Sequence, residues 1–194
     1  QRQMCIRDRD GTVWEGGRPL SNVVDVINTC GVPAVYVTNN ASRSPEAVSK
    51  MLADIGLEAT TQQIVTSAQA VLQLVADEVP ATSKLLIIGA DSFRDLAREM
   101  GFEVVSSADD KPAAVVQGFD RSVGWEQLTE GALAIRQGAK FFASNLDTSL
   151  PIERGFAVGN GSLVAAIQSA TGVEPVSAGK PEPAMFTFAA KQIG

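Results

Sequence analysis

Residues 31–52 read GVPAVYVTNNASRSPEAVSKML, and the change of texture along them decides the fold. Ala34, Val35, Tyr36 and Val37 are continuously apolar, as in a parallel strand covered on both faces. Thr38, Asn39 and Asn40 break the run. Ser44, Pro45 and Glu46 then open a helix: a hydroxyl that can accept from an unpaired N–H stands before a residue whose fixed φ suits the first turn. Met51, Leu52 and Ile55 give this helix an apolar side, and Gly56 ends it. Strand, polar turn and helix in that order form a βα unit.

The same alternation continues on both sides. KLLIIG at 84–89, AAVVQ at 113–117 and KFFAS at 140–144 are further apolar strands, and helices are expected over 20–29, 91–100, 125–137, 162–170 and 182–192. The fold class is therefore α/β with a parallel, Rossmannoid arrangement of strands. The polar stretch at 76–83, which contains Pro80, marks a crossing between two structural units, and 174–179 marks the return.

Composition removes whole classes of function. The 194 residues carry 16 Lys plus Arg against 22 Asp plus Glu, a formal charge of −6 with no basic stripe, so neither nucleic acid nor an anionic membrane is an expected partner. No apolar run approaches the ~18 residues of a membrane span. There is no histidine, which excludes Ser-His-Asp and Cys-His catalysis and His-ligated zinc. The two cysteines, Cys5 and Cys30, are too few for a disulfide framework and fit a reducing cytoplasm. Cys30 reads as a small buried residue at a helix end, and Trp14 and Trp125 read as packing residues. A homo-oligomer is compatible with all of this.

Three short motifs can carry chemistry. Asp8-Arg9-Asp10-Gly11-Thr12 sets two carboxylates two residues apart after a strand, the spacing that an aspartyl nucleophile and an acid/base partner need; a polar turn is the bland alternative. It is no EF-hand loop, because Val13 and Trp14 fall where polar ligands belong. Thr38-Asn39-Asn40 ends the apolar strand at the edge where open α/β sheets place ligands; an Asn-rich turn that only caps the next helix is the alternative. Gly179-Lys180-Pro181-Glu182-Pro183 fixes a cation beside a Pro-started helix, as a phosphate-binding lysine or as a surface lysine.

Taken in this order, DRDGT, an apolar strand ending in TNN, and GKPEP resemble the haloacid dehalogenase superfamily, and in particular its class IIA branch of NagD- and 4-nitrophenylphosphatase-like enzymes. The resemblance covers essentially the whole chain. It implies a Rossmannoid core at 1–78 and 178–194 with an α/β cap inserted at 79–177. It also implies that Asp8 is the nucleophile forming an aspartyl-phosphate, and that Asp10 is the acid/base. Thr38, Asn39 and Lys180 would bind phosphate, and Mg would be held by Asp8 and by the main-chain carbonyl of Asp10. Asn145 and Asp147 in the cap, and the GNGS run at 159–162, are similar to family segments that face the mouth of the site. The expected function is Mg-dependent hydrolysis of a small organic phosphate monoester. The alternative is a noncatalytic phosphate-binding or regulatory relative. A dinucleotide site is not expected, since Gly16-Gly17 does not make the glycine fingerprint.

Two segments depart from the family pattern. A first strand buried on both faces should be apolar, yet 1–7 reads QRQMCIR and Arg9 stands between the two acids. MCIRD at 4–8 is similar to a translated sequencing adaptor, so residues 1–9 are expected not to be native. The family's acidic loop, which completes the metal site, is expected after Gly194. The sequence therefore reads as a fragment with weakened metal binding.

Overall fold

The computed structural model describes residues 5–8, 14–15, 18–19, 23–31, 34–180 and 182–193. The first sheet is parallel and contains β1 (Cys5–Asp8), β4 (Ala34–Thr38) and β5 (Ile64–Thr66) in the order β1-β4-β5. Between β1 and β4 lie an antiparallel ribbon of β2 (Trp14–Glu15) and β3 (Arg18–Pro19), then α1 (Val23–Thr29). The run CIRD thus forms a strand although its sequence is unlike that of a central one. Strand pairing uses main-chain groups that every non-proline residue carries, and among the described strands β1 has a neighbour on one side only.

The second sheet is also parallel, with β6 (Lys84–Ile88), β7 (Glu103–Val105), β8 (Ala114–Gln117), β9 (Lys140–Ala143) and β12 (Val176–Ser177) in the order β12-β9-β8-β6-β7. Its helices are α4 (Asp91–Glu99), α5 (Trp125–Arg136) and α6 (Asn160–Thr171). An antiparallel hairpin of β10 (Ser149–Ile152) and β11 (Gly155–Val158) precedes α6. The first sheet owns α2 (Pro45–Ala53), while α3 (Ser67–Glu78) and α7 (Ala184–Ile193) complete the chain.

Alternation along the strands builds the layers. In β4, Val35 and Val37 face one cluster while Ala34 and Tyr36 face another with Ile27, Val48, Leu52 and Leu57 from α1, α2 and the turn after it. In the second sheet Leu85, Ile87, Val116 and Phe142 join the cluster of Val35 and Val37, and Leu86, Ile88, Val115 and Phe141 face α5 and α6. One apolar core therefore lies between the two sheets. Its centre is α3, whose Ala68, Ala70, Val71, Leu72 and Val75 are all buried in it. Along SAQAVLQLVADE the apolar residues fill this core, while Gln69, Gln73 and Asp77 recur every four residues on the remaining side, where Gln73 Nε2 donates to Asp77 at 3.0 Å.

Local signals fix the ends as the sequence reading expects for α2, where Ser44 Oγ accepts from the N–H of Ala47 at 3.3 Å and Pro45 is the first helical residue. The helix read at 162–170 begins earlier, at Asn160, and closes on Gly172 in the left-handed region at φ 76°. Two side-chain readings are corrected. Cys30 is exposed, with its thiol donating to the carbonyl of Ile27, because Ile27 takes the buried side of that turn against Ala34 and Tyr36 and leaves Cys30 outward. Trp125 is 78% exposed, since it is the first residue of α5 and the buried residues of that helix are Gly131, Ala134 and Ile135, further along it.

Candidate active site

The carboxyl ends of β1 and β4 set the site. Asp8 is the last residue of β1 and lies opposite Val37, so it stands one step from Thr38, which is opposite Thr66 of β5. Asp10 lies outside the described residues. Thr38 is 1% exposed, and its Oγ1 accepts from the N–H of Asn40 at 3.2 Å, an arrangement that leaves the hydroxyl proton available to an outside oxygen.

Asn39 is the junction of the site. Its carbonyl accepts from Ser67 Oγ at 2.6 Å, at the start of α3, and from Asn145 Nδ2 at 2.8 Å, beyond β9. Its side-chain Oδ1 accepts from the main-chain N–H of Lys180 at 3.0 Å, and its Nδ2 donates to the carboxylate of Asp147 at 3.0 Å. Five of the residues singled out from sequence are thereby brought together: Thr38, Asn39, Asn145, Asp147 and Lys180. Asn145 also turns its own loop, since its Oδ1 accepts from the N–H of Asp147 at 3.1 Å.

Glycine lets the segments approach. A Cβ on Gly179 would sit 2.5 Å from Asn145 Cβ and 2.6 Å from its Cα, so no other residue fits at that place without moving one of the two loops. Gly118, after β8, lies against Ala41, where a Cβ would come within 3.2 Å, and Ser92 Oγ donates to the carbonyl of Ser42 at 3.4 Å. The TNN loop is thus packed against the carboxyl edges of both sheets, where α/β folds place ligands.

Thr66 and Ser67 were not singled out by the sequence reading. The signal was present: IVT followed by Ser67, Ala68 and Gln69 has the spacing of a capping box, and Thr66 and Gln69 do exchange side-chain and main-chain hydrogen bonds, at 3.3 and 2.9 Å. Two surface grooves elsewhere have no comparable chemistry. One is lined by Asp109, Lys111 and Gln137 and the other by Trp125, Glu126 and Glu130; neither includes a residue of the Asn39 junction.

For a metal, donor type is the relevant observation. No three acidic, Cys or His side chains converge among the described residues. The oxygen donors at the end of β1, a carboxylate and main-chain carbonyls, are those that a hard divalent cation accepts.

A family model described as haloacid dehalogenase-like hydrolase matches residues 5–103, from β1 through the TNN loop to the second sheet. The chain belongs to the haloacid dehalogenase-like hydrolases. It is 43% identical over 182 residues to the D-glycerol 3-phosphate phosphatase of Mycobacterium tuberculosis, covering 94% of this chain and 52% of that protein. The 5'-nucleotidase YutF of Bacillus subtilis is 36% identical over 190 residues, covering 96% and 73%. The crystal structure of the M. tuberculosis glycerol phosphate phosphatase in complex with magnesium superposes with a TM-score of 0.93 at 42% identity, covering 97% of this chain and 57% of that one. The chain spans about half the length of this relative. As in other haloacid dehalogenase-like hydrolases of the class IIA, NagD-like branch, the motifs lie on a mixed α/β fold with mostly parallel sheets.

Proposed function

We propose that this haloacid dehalogenase-like hydrolase cleaves small organic phosphate monoesters through an aspartyl-phosphate. The observation that carries the reading is the convergence on Asn39 of Lys180 and Asp147 from distant parts of the chain, directly beside Thr38 and one step from the end of β1. Relatives named for glycerol phosphate and nucleotide substrates support the phosphomonoester class without choosing a member.

In this reading an oxygen of the Asp8 carboxylate attacks phosphorus as the P–O bond to the leaving alcohol breaks, and Asp10 gives its proton to the departing oxygen. Asp10 then takes a proton from water as that water attacks phosphorus, releasing inorganic phosphate and restoring Asp8. The Thr38 hydroxyl donates to a phosphoryl oxygen, and the Lys180 ammonium offsets its charge. Asn39 contributes by holding Lys180 and the loop in register. Asp8 and the main-chain carbonyl of Asp10 would hold Mg, which would supply further charge neutralisation when bound.

The two sheets support a division of labour in which 1–78 and 178–194 carry the chemistry and 79–177 form a cap bearing Asn145 and Asp147. Among the described residues no helix is long and apolar enough to cross a membrane. Cysteine usage supports placement in a reducing cytoplasm. The test is phosphate release from a panel of phosphomonoesters with Mg, comparing the unmodified protein with Asp8→Asn and Asp10→Asn. Release by the unmodified protein and its loss in both variants is expected. No release from any member of the panel, or undiminished release by Asp8→Asn, would contradict the proposal.

A further inference from the structure

Gln117 closes β8 in the middle of the second sheet, is fully buried, and has no partner for either its Oε1 or its Nε2. Asn160, at the first position of α6, is 2% exposed and has an unpartnered Oδ1. Leaving such groups dry is unfavourable, so two of them on one side of one sheet call for an explanation.

Both belong to the same side of the second sheet. Gln117 lies two residues beyond Val115, so it points to the side of the sheet where Val115 packs with Val164 and Ile167 of α6. Asn160, Val164 and Ile167 follow the spacing of one helical stripe, and all three are buried. Gln117 is also paired with Ala143, two residues before Asn145, and the Nδ2 of Asn160 donates to the carbonyl of Asn145 at 2.8 Å. The orphaned atoms are two acceptors and one amide donor. A single water can donate to both oxygens and accept from the Gln117 amide, the two to four partners that an internal water requires.

We propose that Gln117 and Asn160 enclose one internal water, and that Gln117 is a positioning residue acting through it on the TNN loop. The route is continuous: Gln117, water, Asn160 Nδ2 to the Asn145 carbonyl, Asn145 Nδ2 to the Asn39 carbonyl, and Asn39 Oδ1 to the N–H of Lys180. Its functional end rests on the phosphate-binding reading given above.

The test uses the protein with Gln117→Met, Asn160→Ala and the double variant, and Val115→Ala as a packing control. Thermal unfolding is measured on all of them, with titration by inorganic phosphate in the presence of Mg. In the unmodified protein, nuclear Overhauser transfer from water to the Gln117 side-chain amide is measured. The expected results are a long-lived water signal, a lower Tm for Gln117→Met, and a double variant less destabilised than the sum of the single ones. Phosphate affinity should fall about threefold to tenfold in Gln117→Met and stay unchanged in Val115→Ala. No water signal, a Tm that rises in Gln117→Met, or phosphate affinity that is equal in Gln117→Met and the unmodified protein would overturn the proposal. Failure of the unmodified protein to bind phosphate would sink the hydrolase reading instead, with the water signal and the Tm coupling still deciding whether the relay exists.

Discussion

The main-chain N–H of Lys180 donates to Oδ1 of Asn39 at 3.0 Å, although 141 residues separate the two. The same amide group donates at its other end to Asp147, so one side chain ties three segments of the chain at the carboxyl edges of two sheets. What a strand, a lysine turn and a cap loop contribute separately becomes a single site only through this amide.

Removing that amide should loosen the site more than the fold. Asn39→Ala loses both side-chain bonds, and at about 1–3 kcal/mol it should lower Tm by roughly 2–10 °C for a chain of this size. Asn39→Asp should do worse, because it sets a carboxylate against Asp147 and replaces a donor with an acceptor. Thermal unfolding of the two variants side by side checks the order; equal Tm values would show that the bond to Asp147 contributes nothing.

Gly179→Ala should be disruptive although the change is one methyl group. The added carbon would have to share space with Asn145 Cβ at 2.5 Å and Cα at 2.6 Å, which backbone cannot yield cheaply. A loss of about 1–3 kcal/mol is expected from overpacking. Phosphate affinity should fall with it, because the shift moves Lys180. Denaturant midpoints and a phosphate titration measure the two effects.

The shared core between the sheets sets the global stability. Phe142 of β9 is fully buried there with Val116, Leu72 and Met185, and Phe142→Ala should cost about 3–5 kcal/mol. Urea unfolding should show a single transition in both proteins, with the midpoint lowered in the variant. Two separate transitions in the unmodified protein would mean that the two sheets do not share a core energetically.

Asp120 supplies a small pH dependence. Its carboxylate accepts from Ser122 Oγ at 2.6 Å and from the Ser122 N–H at 2.8 Å, and these bonds hold its pKa below the usual 3.8. A carboxyl whose pKa is lower in the folded state stabilises the fold above the unfolded value and loses that contribution as pH falls through the folded one. Asp120→Asn should therefore lower stability slightly at pH 7, by less than about 1 kcal/mol for a partly exposed carboxylate, and have no effect well below pH 3.8. Melting curves at the two pH values check the sign.

Much of this arrangement is legible in the sequence. The strand at Ala34–Thr38, the Ser44 cap and the strands of the second sheet follow from apolar runs and cap chemistry. Thr38, Asn39 and Lys180 stand out because hydroxyl, amide and lysine end apolar or glycine-bearing segments. The helix Ser67–Glu78 was not singled out although Gln69, Gln73 and Asp77 recur at helical spacing: that polar side is one residue wide, and the apolar residues around it read as nearly continuous. The hairpin Ser149–Val158 escapes for the opposite reason, since Phe156 is 83% exposed and Val158 is exposed with it, and the pattern points apolar residues outward. The burial of Gln117 could not be read either, because a glutamine that closes an apolar strand reads as the polar end of that strand. The junction at Asn39 depends on contacts between residues more than 100 positions apart, and no local pattern encodes them.

The most direct measurement is an amide chemical-shift titration of the protein with inorganic phosphate in the presence of Mg. The account predicts saturable shifts at Thr38, Asn39, Asn40 and Lys180, with Asp147 responding through Asn39, and their loss in Lys180→Ala. Shifts confined to the groove of Trp125, Glu126 and Glu130, or no saturable shift at the TNN loop at all, would contradict it.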